Sequence, residues 1–190
     1  MTEKASEPSD PLSCGERSDP TNEIDLLNEV AYCSDEIIEW VTHHFNLVIR
    51  ELQLQQVSLS IAVVDDEKMS DLHLQYSNIP GTTDVLTFDL LDEPNVLDST
   101  AGQSAATQVD GEIIICADEA KRRADELNHP LQNELLLYLV HGLLHLLGYD
   151  DHDPEDHRIM HLEEDRLLNA IGVGAVFHAD SNASQVDGEL

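Results

Sequence analysis

Residues 131–148 read LQNELLLYLVHGLLHLLG and predict one long helix that, after its polar first turn, is apolar apart from two histidines. Pro130 precedes the helix at a position where proline is tolerated, because the first amide groups of a helix have no internal partner. Gly148 is expected to end the helix, since glycine readily takes the left-handed conformation of a C-terminal cap. The chain is therefore expected to bury this helix, with His141 and His145 on it.

The two histidines are four residues apart, which places them one turn apart on one face of the helix. Two imidazoles in that arrangement can share one Zn²⁺, and an unpaired imidazole in apolar surroundings is costly. Gly148 lets the chain turn back, so that a third ligand can follow: His152 is the first candidate and Asp151 is the rival. Three protein ligands leave a position open, as in a catalytic zinc site. We predict one Zn²⁺ per chain, held by the candidate catalytic residues His141, His145 and His152.

Zinc proteases of the HExxHxxGxxH type have a related pattern, and this sequence departs from it twice. Gly142 stands where those enzymes carry their general base, and seven residues rather than six separate His145 from His152. The pattern therefore argues against peptide hydrolysis. The alternative to a metal site is a pair of core histidines. On the next predicted helix, His157 and His161 are also four apart and are expected to be surface or packing residues.

The rest of the sequence predicts an α+β fold that is zinc-hydrolase-like. It consists of a small mixed β-sheet of about four strands covered by about five helices. Residues 23–30 suit a short strand or the start of a helix. Ser34 and Asp118 are predicted helix N-caps. Residues 90–108 are predicted to form a mobile loop. The remaining expected strands are 57–65, 84–89 and 111–116, and the expected helices are 34–52, 66–76, 119–128, 131–147 and 153–172.

The chain of 190 residues is long enough for one domain, with 39 acidic residues, 9 basic residues and a formal net charge of -30. Residues 1–22 are expected to be a disordered acidic tail, 23–172 the domain, and 173–190 a flexible C-terminal tail. The charge suits either solubility or adaptation to a salty setting. Such a surface does not attract nucleic acid unaided.

The three cysteines are far apart and lack CxxC spacing, which argues against a disulfide framework and a cysteine zinc site. The N-terminal residues contain no apolar segment typical of a secretory signal. No run of about eighteen apolar residues suggests a membrane span. A cytoplasmic setting without a membrane partner is expected.

Three sequence blocks resemble those of the YbeY family, the bacterial rRNA maturation factors described as zinc-dependent endoribonucleases. HGLLHLLGYDDH, residues 141–152, resembles the family pattern H-G-x-L-H-L-x-G-Y-D-H with one acidic residue inserted before His152. TTDVLTF, residues 82–88, resembles P-T-D-V-L-S-F, and GEIII, residues 111–115, resembles G-D-I-x-I. The blocks lie in the family's order and cover about residues 24–170.

The resemblance implies a single α+β domain with one zinc held by three histidines. It also implies a single-strand-specific metallo-endoribonuclease in 3′ end maturation of small-subunit (16S) rRNA and in ribosome quality control. The expected partners are single-stranded rRNA and the small ribosomal subunit or its proteins. Two alternatives remain: a non-catalytic ribosome-assembly factor with a structural zinc, and another zinc hydrolase such as a metalloprotease.

The segment LHLQYSN departs from the family pattern, because Ser77 stands where many members carry an arginine. A guanidinium that could bind a phosphate is therefore missing at this position. The nearest basic cluster in the sequence is Lys121, Arg122 and Arg123. It suits either RNA contact or a solvated helix face.

Overall fold

The computed structural model describes residues 22–98, 103–104 and 108–174. The predicted tails lie outside the described residues, except for residues 22, 173 and 174. The elements in chain order are β1 (Asn22–Asn28), α1 (Asp35–Glu51), β2 (Gln56–Val64), α2 (Asp66–Ser77), β3 (Val85–Asp89), β4 (Leu97–Asp98), β5 (Gln103–Ser104), β6 (Gln108–Cys116), α3 (Ala117–Leu127), α4 (Leu131–Leu146) and α5 (Pro154–Ala170).

The main sheet has the strand order β1-β2-β6-β3. β2 pairs in parallel with β1 and β6, while β3 runs antiparallel to β6. Alternate residues of β2 point into the core, as the period of two requires: Val57, Leu59, Ile61 and Val63 are all buried. The predicted α+β class, with about four sheet strands and five helices, is confirmed.

Helix α4 is the centre of the core. It packs against α1, α3 and α5 and against strands β3 and β6. The helix is enclosed on nearly every side, which explains why its apolar residues are continuous rather than confined to one stripe. Pro130 is its N-cap residue, and Gly148 follows its end with a φ of 89°. The fully buried α4 residues include Leu135, Leu136, Leu139, Val140, Leu143 and Leu144.

Three parts of the chain form more strand than the sequence indicated. Residues 22–28, which suited either a strand or a helix start, pair with β2 as an edge strand. Strand β6 begins at Gln108 rather than Gly111, because Val109 is buried and pairs with Val57. Within the predicted mobile loop, β4 and β5 form a short antiparallel pair. Residues 99–102 and 105–107 of that loop lie outside the described residues.

The N-cap predicted at Asp118 is wrong. β6 runs directly into α3, so Cys116 is the N-cap residue and Asp118 lies in the first turn. The carboxylate of Asp118 accepts hydrogen bonds from the Asp66 amide at 2.9 Å and from the Tyr32 hydroxyl at 2.7 Å. It therefore ties α3 to α2 and to the β1–α1 connection. Ser34 does precede α1 as its N-cap residue, but its side chain makes no capping hydrogen bond.

Gly142 allows α4 to lie close against the sheet. A Cβ atom at this position would lie 2.8 Å from Ile113 Cγ2 and 3.4 Å from Val85 Cγ2. Position 142 therefore faces β6 and β3. A glutamate side chain here would clash with Ile113 and Val85 of the sheet.

No helix in the described part of the chain is long and apolar enough to cross a membrane.

We predict that Gly142→Ala lowers the free energy of unfolding by about 1–3 kcal/mol, because the added methyl group overpacks against Ile113. In an isolated helix the same change stabilises by up to about 1 kcal/mol, so packing and helix propensity predict opposite signs. Equilibrium urea unfolding of the two proteins measures the difference. A higher midpoint for Gly142→Ala would mean that α4 is not in close contact with the sheet.

Candidate metal centre

The imidazoles of His141 and His145 meet on one face of α4, next to the sheet-facing Gly142. Their Nε2 atoms are 3.1 Å apart, and their ring planes are nearly perpendicular at 89°. Two nitrogens bound to one tetrahedral zinc lie about 3.3 Å apart, given zinc–nitrogen bonds of about 2.0–2.1 Å. The pair predicted from the sequence spacing therefore has the separation that a shared zinc ion requires.

The other ring nitrogen of each histidine contacts a hydrogen-bond acceptor. His141 Nδ1 lies 2.8 Å from Glu164 Oε1, and His145 Nδ1 lies 3.1 Å from the carbonyl oxygen of Tyr149. Since a carbonyl and a carboxylate can only accept, each Nδ1 carries the proton and each Nε2 keeps its lone pair. Two lone pairs directed at one another require a proton or a cation between them. This donor set, with its outer acceptors, fits a histidine-bound metal ion.

Glu164 is a buried carboxylate shared by two histidines. Its side chain is 1% exposed, and its second oxygen, Oε2, lies 2.6 Å from His161 Nδ1. Burial acts to raise the pKa of Glu164, but the hydrogen bonds from His141 and His161 outweigh burial and lower it. Glu164 is therefore held in its ionised, accepting form.

The same contacts shift the pKa values of His141 and His145 in opposite directions. Burial acts to lower the pKa of His141, but its hydrogen bond with Glu164 and the charge of that carboxylate raise it overall. Burial lowers the pKa of His145, and the neighbouring His141 lowers it further. One positive charge in the pair is thus favoured and a second is disfavoured.

The turn after α4 brings Asp151 rather than His152 to this pair. Asp151 Oδ2 lies 3.8 Å from His141 Nε2, and one ligand atom each from His141, His145 and Asp151 fall within 4.8 Å of one another. The side chain of His152 is 87% exposed, and its Nδ1 hydrogen-bonds to Asp150, which raises the pKa of His152. His152 groups with Asp150 and Asp151 on the outer side of the turn. Its assignment as third ligand stays a prediction.

A cavity of about 490 Å³ opens beside the pair and is lined by His141. Thr82, Thr83 and Asp84, which begin the TTDVLTF block, form part of its wall. Within the block, Asp84 Oδ1 accepts from the Val85 amide at 2.9 Å and from the Thr83 hydroxyl at 3.0 Å. These bonds fix the start of β3 at the cavity. The acidic lining residues are Asp84, Glu119, Glu126, Glu134 and Glu164.

Glu134 is a second buried acid on the cavity wall and was not recognised from the sequence. It is 1% exposed, and its Oε1 lies 2.8 Å from His129 Nε2. Its Oε2 has no hydrogen-bond partner among the described residues. Burial raises the pKa of Glu134. A carboxyl group with a raised pKa keeps its proton to a higher pH than an exposed carboxyl group does.

Glu164 was also missed, although the sequence contained a signal for it. Met160, Glu164, Leu167 and Leu168 follow helical spacing and form the buried stripe of α5. An acidic residue on such a stripe needs a partner, because an isolated buried charge is strongly unfavourable. That partner lies 23 residues earlier, on α4.

The basic cluster on α3 is paired with acidic residues. Arg122 binds Asp66 with both terminal nitrogens, at 2.7 and 2.9 Å. Lys121 lies 3.7 Å from Asp125, and Arg123 lies 3.3 Å from Glu126. These contacts favour the solvated helix face over a free phosphate site, although Arg123 also lines the cavity.

Fold and site together define an α+β domain whose core helix presents a candidate metal centre to an open cavity. A family model described as "Endoribonuclease YbeY" matches residues 23–172. A curated relative of that name from Thermobifida fusca is 36% identical over 146 residues, covering 76% of this chain and 91% of the relative. One from Lysinibacillus sphaericus is 34% identical over 150 residues, covering 79% and 94%. The chain belongs to the endoribonuclease YbeY family.

Among solved structures, the fold is similar to the solution structure of TM1509 from Thermotoga maritima. The TM-score is 0.52 at 24% sequence identity, and the match covers 78% of this chain and 91% of that one. This likeness concerns the fold alone.

We predict that Glu164→Gln weakens zinc binding about 10–100-fold, because it removes the charge that holds His141 with its Nε2 lone pair exposed. Glu163→Gln is the matched control, since it makes the same change one residue away in a carboxylate that pairs with Arg166 at 2.8 Å. Competition with a chromogenic chelator measures both affinities. Equal affinity in wild type and Glu164→Gln would remove Glu164 from the metal centre.

Proposed function

We propose that this chain is a zinc-dependent endoribonuclease that cleaves single-stranded RNA in the cytoplasm. Its proposed role is 3′ end maturation of 16S rRNA and ribosome quality control, in contact with the small ribosomal subunit. The main support for the proposal is the close pair His141–His145, in which Glu164 orients His141 at the wall of an open cavity. Membership of the endoribonuclease YbeY family supports RNA as the substrate class.

A zinc ion bound at this pair would supply Lewis-acid polarisation of the scissile phosphate and an activated nucleophile at neutral pH. The chain's own residues prepare the site for it. Glu164 and the Tyr149 carbonyl retain the Nδ1 protons, so that both Nε2 atoms face the same point. Glu134 is placed on the cavity wall to exchange a proton with substrate, since its pKa is raised by burial. No glutamate beside His141 is required, and Gly142 leaves no room for one.

The third ligand is proposed to be His152. Three neutral imidazoles leave the full charge of the ion for the phosphate, whereas the carboxylate of Asp151 would cancel part of it. The exposed position of His152 leaves its ring free of packing that would resist reorientation. Asp151 is the alternative third ligand, and its support is that Asp151 Oδ2 lies 3.8 Å from His141 Nε2.

The acidic surface opposes RNA binding and must be overcome locally. Phosphate contacts usually depend on lysine and arginine, and the net charge here is -30. A bound ion would provide positive charge at the cavity, where Arg123 is already paired with Glu126. Salt screens the remaining repulsion over distances beyond about 10 Å at 0.1 M.

The same charge favours one alternative function. A strongly acidic surface is complementary to basic ribosomal proteins, as a non-catalytic assembly factor with a structural zinc would require. The metalloprotease alternative has no such support, because position 142 faces the sheet.

We predict that His145→Ala folds but loses RNA cleavage by more than about 100-fold, since loss of a metal ligand should exceed the effect of losing an outer hydrogen-bond partner. His43→Gln, an exposed histidine on α1, is the control and should cleave like wild type. Single-stranded RNA with a reporter at each end measures the rate, and circular dichroism checks the fold.

Zinc titration of His152→Ala and Asp151→Asn identifies the third ligand in the same experiment. Greater loss of affinity in His152→Ala supports His152 as the third ligand, and greater loss in Asp151→Asn transfers the role to Asp151.

Undiminished RNA cleavage by zinc-free His145→Ala would contradict the nuclease proposal. Retained zinc and small-subunit binding, with no RNA cleavage by the wild type, would favour the assembly factor.

A further inference from the structure

The His157–His161 pair on α5 repeats the geometry of the pair on α4. The two Nε2 atoms are 3.0 Å apart, against 3.1 Å on α4. Their rings are also steeply inclined, at 76°, with centroids 4.1 Å apart. Both pairs have the i, i+4 spacing that brings two side chains onto one face of a helix. The sequence predicted only surface or packing histidines here and did not indicate that their two Nε2 atoms approach so closely.

Glu164 orients this pair as it orients the first. Its Oε2 lies 2.6 Å from His161 Nδ1, while its Oε1 lies 2.8 Å from His141 Nδ1. Because the carboxylate accepts, His161 carries its proton on Nδ1 and directs the Nε2 lone pair at His157. The rings of His141 and His161 lie 6.5 Å apart and both line the cavity.

We propose that His157 Nε2 and His161 Nε2 form a second, weaker transition-metal site beside the first. Imidazole ligands select zinc, nickel and copper over magnesium and calcium. Two protein ligands leave the remaining positions to water, so the ion binds less tightly than at the first site. His157 is exposed and gives access from solvent, and the net charge of -30 raises the local concentration of cations.

A simple hydrogen bond is the competing explanation for the close nitrogens. In that case His157 carries its proton on Nε2 and donates to His161 Nε2. The two explanations differ in one measurable respect, since only the metal site takes up an ion and loses that capacity with His157.

The two sites share Glu164, which links their affinities. Replacing this carboxylate with glutamine removes the negative charge beside both His141 and His161, and the one amide oxygen that remains can accept from only one of them. Glu164→Gln therefore weakens both sites, whereas His157→Gln weakens only the second. This difference distinguishes a coupled pair of sites from two independent ones.

Equilibrium dialysis against Zn²⁺, without RNA, tests the proposal. Wild type should bind one equivalent tightly and a second weakly. His157→Gln should lose the weak equivalent and keep the tight one, and the control His43→Gln should keep both. His157 is exposed, so this variant should fold even if His161→Ala does not.

A single equivalent in the wild type, or a weak equivalent that survives His157→Gln, would overturn the second site. His145→Ala should show the reverse loss, keeping the weak equivalent only. Because the readout is bound metal, two equivalents in a protein without nuclease activity would refute the proposed function and leave the second site standing.

Discussion

The burial of two imidazoles in an apolar core helix is the constraint on which the site depends. α4 is enclosed by the sheet and by α1, α3 and α5, so His141 and His145 are only partly exposed and depend on protein groups for most of their hydrogen bonds. The structure supplies one acceptor to each: Glu164 from α5 and the Tyr149 carbonyl from the turn after the helix. Both acceptors hold the Nδ1 protons, and the remaining lone pairs meet at one point.

Close contact between α4 and the sheet sets which way the helix faces. Two glycines make this contact possible, one on each side of the interface. A Cβ atom at Gly142 would lie 2.8 Å from Ile113, and one at Gly111 would lie 2.6 Å from the Phe88 carbonyl oxygen and 3.0 Å from Leu146. With glycine facing the sheet, His141 lies on the wall of the cavity and His145 lies beside it. The glycine that replaces the protease glutamate is therefore a packing residue, and its absence of a side chain says nothing against hydrolysis of other substrates.

The sequence predicted what depends on local spacing and missed what depends on distant contacts. The four-stranded sheet, α4 and the i, i+4 approach of His141 and His145 follow from periodicity over a few residues. Glu164 required knowing that α5 crosses α4, and the register of β1 required a partner strand. The prediction of Asp118 as an N-cap was wrong because β6 continues directly into α3. The Asp118 carboxylate instead accepts a hydrogen bond from the Asp66 amide of α2. Both candidates for a third ligand, Asp151 and His152, lie in a turn, where side-chain direction is set by individual hydrogen bonds such as the one between Asp150 and His152.

The proposed binding of a metal ion by the α4 histidines can be measured by elemental analysis. Wild type and His145→Ala are compared after zinc reconstitution and extensive desalting, which removes weakly bound ions. We expect equimolar, tightly bound zinc in the wild type and its loss in the variant, with circular dichroism unchanged. Absence of tightly bound metal from the reconstituted wild type would contradict it, and the two imidazoles would then be a hydrogen-bonded core pair.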